Sequence, residues 1–149
     1  IFTDLTPLAE KSGITLELAG DGVMTGSDAL IYRMIFNLTE NAIKYNRPDG
    51  SVQVCITQEP EKLLILVSDT GRGIPEEYQQ SIFQPFFRVD KSRSRTFGGA
   101  GLGLALVWEI AALHGGSVRV AESSDSGTTI AAELPRSGNH AADPKNEML

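Results

Sequence analysis

The run Leu63-Leu64-Ile65-Leu66-Val67 constrains this chain more than any other segment. Five consecutive apolar residues are too few to cross a membrane and carry no helical periodicity. They suit a strand buried on both faces, which needs other layers packed around it. The run leads into Ser68-Asp69-Thr70-Gly71-Arg72-Gly73-Ile74-Pro75, a carboxylate at a strand end followed by two glycines. Two uses fit equally: a tight strand-to-helix turn, or backbone brought close to a ligand. In the second use Asp69 acts as an acceptor, since an ionised carboxylate has no proton to give, and an exocyclic amine is a suitable donor.

The elements around this strand fix the fold class. Residues 1–20 read as short helix material running into an alternating strand, Ile14-Thr15-Leu16-Glu17-Leu18. Gly20-Asp21-Gly22 is a turn and Val23-Met24-Thr25 a brief strand. Ser27 caps a long helix reaching about Tyr45, with Ile31, Ile35, Leu38 and Ala42 as its core stripe. Asn46-Arg47-Pro48-Asp49-Gly50 ends it. Val52, Val54 and Ile56 alternate as a further strand. Pro75, Glu76 and Glu77 open a short helix. Residues 84–103 show no periodicity and are basic, then glycine-rich, as in a functional or mobile loop. A second helix runs from about Leu104 to His114 and ends at Gly115-Gly116. Val118 to Val120 and Thr129 to Leu134 are the last strands. The expected architecture is an α/β (α+β) two-layer sandwich with helices on one face of a mixed sheet. The expected domain covers residues 1–135, with 136–149 a disordered tail.

A chain of 149 residues with 41% hydrophobic content suits one domain with its own core. Its net charge of −6 argues against a nucleic-acid or anionic-membrane binder. A single cysteine, Cys55, excludes an internal disulfide framework and suits a reducing compartment. The chain opens on Ile1 rather than Met, so it is expected to be a fragment of something longer.

Three clusters can carry chemistry. Asn37, Asn41 and Lys44 lie within about 60° of each other on the long helix. Two amides and an ammonium there suit a divalent metal and phosphate oxygens, because an Asn carbonyl is a neutral hard ligand. Taken alone they suit a solvated face better, with Glu40 and Lys44 an ordinary i,i+4 pair. Gly98-Gly99-Ala100-Gly101-Leu102-Gly103 opens the second helix and exposes successive N–H groups at its positive end, an anion site or a hinge. Arg88, Lys91, Arg93 and Arg95 form a basic segment just before it, either a phosphate-facing lid or a solvated loop. Ser126-Gly127-Thr128-Thr129 precedes the last strand and fits a turn or the floor of a base site. His114, beside glycines at a helix end, reads as structural, a cation there favouring the helix dipole.

Taken in order, these blocks resemble one family. Asn37-Leu-Thr-Glu-Asn41-Ala-Ile-Lys44-Tyr45 resembles the N box of the sensor histidine kinases. Asp69-Thr-Gly71-Arg-Gly73-Ile74 resembles their first glycine box, and Ile82-Phe83-Gln-Pro85-Phe86-Phe87-Arg88 their F box. Gly99-Ala-Gly101-Leu102-Gly103-Leu resembles the second glycine box, and Gly127-Thr128-Thr129 the last. The resemblance spans roughly residues 14–135.

It implies the catalytic, ATP-binding domain of a two-component sensor histidine kinase, with the Bergerat fold and a mostly antiparallel sheet. Under it, Asn41 is the Mg²⁺ ligand. Asn37 and Lys44 contact phosphates, and Tyr45 packs near the sugar and base. Asp69 accepts from the adenine amine, Gly73 backs the base, and Thr128 binds it through water. Arg88 reaches the γ-phosphate, so Asn37, Lys44 and Arg88 form the catalytic set. The N–H groups of Gly101, Leu102 and Gly103 cradle the triphosphate, and Gly71, Ile74 and Gly99 complete the nucleotide contacts. The implied reaction is γ-phosphoryl transfer to a histidine on a separate dimerisation domain, with a response regulator downstream. The chain is then a cytoplasmic, monomeric domain of a membrane-anchored homodimeric parent. Hydrolysing relatives of the gyrase and chaperone type hold a water-activating Glu four residues before the metal-binding Asn; Asn37 stands there instead. A serine kinase of the anti-sigma-factor type and a non-catalytic nucleotide module share the fold and remain as alternatives.

Overall fold

The computed structural model describes residues 2–85, 87 and 103–136. Helix α1 (Phe2–Ser12) is followed by β1 (Thr15–Gly20), α2 (Asp28–Lys44), β2 (Ser51–Gln58) and β3 (Lys62–Asp69). Two single 3₁₀ turns follow, Glu76–Tyr78 and Ser81–Phe83. Helix α3 (Gly103–Leu113) and strands β4 (Ser117–Ser124) and β5 (Gly127–Pro135) complete the order. The five strands form one sheet in the order β1-β2-β3-β5-β4, with β1 parallel to β2 and every other pair antiparallel.

Local chemistry explains the element ends. Ser27 caps α2 as expected, its hydroxyl accepting from the Leu30 N–H at 3.2 Å. Helix α3 ends where Gly115 turns left-handed (φ 74) and Gly116 N–H donates to Ala111 O at 2.8 Å.

The register brings Leu63, Ile65 and Val67 of β3 opposite Leu134, Ala132 and Ile130 of β5, and Val67 opposite Val54 of β2. This row is buried, together with Met34, Leu38, Ala42 and Ile43 of α2 and Val107, Ile110 and Ala111 of α3. One face of the sheet therefore carries the helices and the core.

Four expectations are corrected. Strand β3 is buried on one face only; Leu64 and Leu66 are half-buried, because no described helix covers that side. The core stripe of α2 is wider than expected and centres on Met34, Leu38, Thr39, Ala42 and Ile43, while Ile31 and Ile35 sit half-buried at its margin. Thr39 is accommodated because its hydroxyl donates to Ile35 O at 2.8 Å. Residues 23–25 form no strand; two side chains and one backbone bond, from Thr25 N–H to Arg136 O at 2.9 Å, hold them instead. Gln58 Oε1 accepts from the Val23 N–H at 2.7 Å, and Arg136 Nε donates to Val23 O at 3.0 Å. Arg136, assigned to the tail by its polar surroundings, also donates to Glu59 O at 3.0 Å and so closes the last strand onto the β2–β3 turn. Residues 137–149 lie outside the described residues.

Candidate functional site

The core row of β3 does not end in an apolar residue. Asp69 continues Leu63, Ile65 and Val67 at the end of the strand, opposite Val52 on one side and Thr128 on the other. Thr128 likewise extends the row Leu134, Ala132, Ile130 of β5 and is buried. A carboxylate and a hydroxyl thus stand where the apolar layer stops, on the face that carries α2.

Burial pushes the Asp69 carboxyl above its ordinary range. Two backbone donors act against that: the N–H groups of Gly71 (2.9 Å) and Thr128 (3.2 Å) both donate to Oδ1. No described residue donates to Oδ2. One oxygen fixes the side chain, and the other is left as an acceptor.

The loop is shaped by what glycine permits. A Cβ on Gly73, which is left-handed at φ 83, would lie 2.1 Å from Ser124 O. A Cβ on Gly127 would lie 1.9 Å from Asp69 O, so the β4–β5 turn closes directly on the carboxylate's own backbone. Gly71 is buried, and the place of its Cβ is 2.8 Å from Tyr45 O, which seats the loop against the C-terminal end of α2.

Three residues that sequence reasoning passed over hold this assembly. Ser123 Oγ accepts from the Ile74 N–H at 2.7 Å and bonds Thr128 Oγ1 at 2.8 Å. Asn46, buried, donates to Ser51 O at 2.8 Å and accepts from the Thr70 hydroxyl at 3.0 Å. Thr70 Oγ1 in turn accepts from the Ser51 N–H at 2.9 Å. Asn46 lies in turn-forming sequence and reads as an ordinary turn residue. Ser123 follows a β4–β5 register that no local pattern reveals.

On α2, Asn37 Nδ2 donates to Gly103 O at 3.3 Å, joining the helix face to the first residue of α3. Lys44 faces Glu40 at 3.9 Å, the i,i+4 pair the sequence also allowed. Asn41 lies one turn beyond Asn37, half-buried, and Tyr45 caps the helix.

The structure therefore joins Asp69, Gly71, Ile74 and Thr128 through hydrogen bonds, packs Gly73 against Ser124, seats the loop against Tyr45, and links Asn37 to Gly103. Arg88, Gly99, Gly101 and Leu102 lie outside the described residues. His114 is structural, but the dipole argument is replaced. Its Nε2 accepts from the Ser27 N–H at 3.1 Å, so Nδ1 carries the proton and donates to Ile110 O at 2.8 Å. Among the described residues, no group of three or more His, Cys, Asp or Glu could hold a metal, and no helix is long and apolar enough to cross a membrane.

Comparison with known proteins points one way. Residues 26–138 match the profile of a family described as histidine kinase-, DNA gyrase B- and HSP90-like ATPases. The chain is 38% identical over 117 residues to the sensor histidine kinase RppB of Synechocystis sp., covering 78% of this chain and 26% of that protein. It spans about a quarter of that relative's length. The nucleotide-free catalytic domain of histidine kinase ThkA superimposes with a TM-score of 0.78 at 25% identity, over 91% of this chain and 89% of that one. Full-length ShkA in complex with AMPPNP gives a TM-score of 0.75 at 26% identity, over 89% of this chain and 28% of that one.

Proposed function

The chain belongs to the histidine kinase-, DNA gyrase B- and HSP90-like ATPase family, and from that premise we propose that it binds Mg-ATP between α2 and the Asp69 loop and presents the γ-phosphoryl group to a histidine on a separate helical domain. The observation that carries this reading is the divided carboxylate of Asp69. Gly71 and Thr128 hold Oδ1, and Oδ2 is left to accept. Adenine offers an exocyclic amine there. A base with a carbonyl in that place would set acceptor against acceptor. The AMPPNP bound to ShkA supports the same ligand class.

The polar face of α2 then takes the phosphates. Lys44 exchanges Glu40 for a phosphate oxygen, and Asn37 stays tied to the start of α3, whose N–H groups suit an anion. The donor set fits Mg²⁺: Asn41 offers one neutral hard oxygen and, among the described residues, no carboxylate cage surrounds it, which suits an ion arriving on phosphates. When bound, that ion offsets phosphate charge. Arg88 and the N–H groups of Gly101 and Leu102 belong to this end on the family resemblance.

Phosphoryl transfer needs mainly positioning and charge neutralisation. The described residues agree with a domain that aims rather than hydrolyses. Asn37 carries an amide where a hydrolysing enzyme needs a base, and its nitrogen donates to Gly103 O. Among the described residues the one histidine, His114, is buried with both nitrogens engaged, which supports an acceptor histidine on another domain. The named relatives being sensor histidine kinases, the parent is proposed as a membrane-anchored homodimer passing phosphate to a response regulator. Residues 1–136 form its catalytic domain.

Mixing the chain with Mg-ATP and a separately made dimerisation domain carrying the histidine tests this. Acid-labile, base-stable phosphate on the partner supports it. Nucleotide binding with no transfer overturns the kinase reading, and no nucleotide binding overturns the whole of it.

A further inference from the structure

Helices α2 and α3 are tied together at two points. Near the site, Asn37 donates to Gly103 O at 3.3 Å. At the far end, the buried imidazole of His114 takes the Ser27 N–H at 3.1 Å and gives its own proton to Ile110 O at 2.8 Å. Ser27 is the N-cap of α2, and His114 directly follows the last residue of α3. Along α2 the ties run from Ser27 to Asn37, and along α3 from His114 back to Gly103, so the helices run antiparallel. Ser27 to Asn37 is about 15 Å of helix and Gly103 to His114 about 16 Å at 1.5 Å per residue. The spans match, and both ties are made in one helix register.

We infer that His114 is a positioning residue for the phosphate end of the site, clasping α3 against α2 so that the start of α3 stays in register with Asn37. The inference rests on the nucleotide reading above. A helix is stiff along its axis, so a slide of α3 at His114 reaches Gly103 undiminished. The Asn37 tie is a single bond at the long end of the hydrogen-bond range, and the apolar packing between the two helices is not directional, so His114 supplies the second directional constraint on that slide. The base end would not feel it, because Asp69, Thr128 and Ser123 are fixed by the sheet. Gly26 gives an independent handle. A Cβ there would lie 2.7 Å from His114 Cδ2 and 2.9 Å from Nε2, so a methyl group, added outside both helices, crowds the ring away from the Ser27 N–H.

Calorimetry with Mg-ATP and with adenosine, on the whole chain, separates positioning from folding. His114→Phe keeps bulk and removes the acceptor. It is expected to weaken Mg-ATP about fivefold to tenfold, the worth of one hydrogen bond, and to leave adenosine unchanged. His114→Gln restores an acceptor for the Ser27 N–H and is expected to recover most of the loss, whereas His114→Asn, which reaches only the Ile110 side, is not. Gly26→Ala is expected to act in the same direction as His114→Phe, and it carries the test if that variant does not fold. Equal losses for adenosine and Mg-ATP, or wild-type affinity in His114→Phe and Gly26→Ala, overturn the clasp alone. A wild-type chain that binds adenosine and Mg-ATP equally weakly overturns the nucleotide reading with it.

Discussion

The proposed site has a base end and a phosphate end, and the two are built in different ways. The base end is made of strand backbone and short hydroxyls. Oδ1 of Asp69 takes two N–H groups at 2.9 and 3.2 Å, and Ser123 joins Ile74 to Thr128 at 2.7 and 2.8 Å. The phosphate end is made of side chains along one helix, with a 3.3 Å bond from Asn37 and a 3.9 Å ion pair between Lys44 and Glu40. A neutral base can be recognised only by donors and acceptors already in place, so that end is fixed by a ladder. A triphosphate brings its own charges and metal, so that end needs reach more than rigidity. The difference teaches that order in such a site is set by how little the ligand can contribute.

The largest effect should follow from breaking the joint on which the base end closes. Gly127→Ala places a methyl 1.9 Å from Asp69 O at φ 142, so both strands must move. Thermal unfolding is expected to show a loss of at least about 3 kcal/mol, with adenosine binding lost as well. Retention of adenosine binding would show that the ladder does not fix the base end. Next in size is Asn41→Ala. It removes a side chain from the half-buried flank of α2, off the core, so the fold is expected to survive while Mg²⁺-dependent tightening of ATP binding disappears. Calorimetry with and without Mg²⁺ checks this, and a persisting Mg²⁺ effect would assign the metal to other ligands.

The same contrast decides what the sequence could reveal. Asn37, Asn41 and Lys44 share a face because helical spacing is local, and the capping Ser27 is likewise read from neighbours alone. Asp69 was recognisable as a carboxylate at a strand end followed by glycines. Its setting was not, since Thr128 reaches it only through the β3–β5 register, 59 residues away along the chain. Ser123 and Asn46 were missed for that reason. The Val23–Thr25 segment failed as a strand because Gln58 and Arg136, both distant in sequence, satisfy its backbone. The both-faces reading of β3 failed because an apolar run records hydrophobicity and not which side a helix covers; the helices take one face, leaving Leu64 and Leu66 half-buried.

Asp69→Asn sharpens the comparison by separating stability from recognition at one atom. The amide oxygen still accepts from Gly71 and Thr128, while the nitrogen replaces Oδ2 and sets donor against the adenine amine. ATP and ADP are expected to weaken alike, by about tenfold to a hundredfold. A loss confined to ATP would move Asp69 to the phosphate end. Stability should go the other way. Burial raises the folded carboxyl above its ordinary value, so its contribution is fully present below the unfolded value and lost as pH rises through the raised one. At neutral pH the wild type therefore carries a buried charge that the variant lacks. Asp69→Asn is expected to melt at or above the wild-type temperature near neutral pH, with the gap narrowing as pH falls into the carboxylate range.

The smallest effect belongs to neither end and so serves to bound them. On the sheet face away from the helices, Lys62 and Arg119 each hold one oxygen of Glu133, at 2.6 and 2.7 Å. The hydrogen bond from Lys62 holds the Glu133 carboxyl below its usual range, and the same bond raises the Lys62 ammonium above its own. By linkage, the Glu133 contribution is present above the ordinary carboxylate value and lost as pH falls through its lowered one. The Lys62 contribution is present below the ordinary lysine value and lost as pH rises through its raised one. Between these ranges neither group changes charge. The melting-temperature difference for Lys62→Ala is therefore expected to be small and flat from about pH 5 to about pH 9, because exposed pairs are screened and Arg119 keeps its own bond. Affinities for adenosine and Mg-ATP should both equal those of the wild type. A change in either would mean that this outer face communicates with the site through β3 and β5, and the ladder would then be a compliant element instead of the fixed frame on which the base end depends.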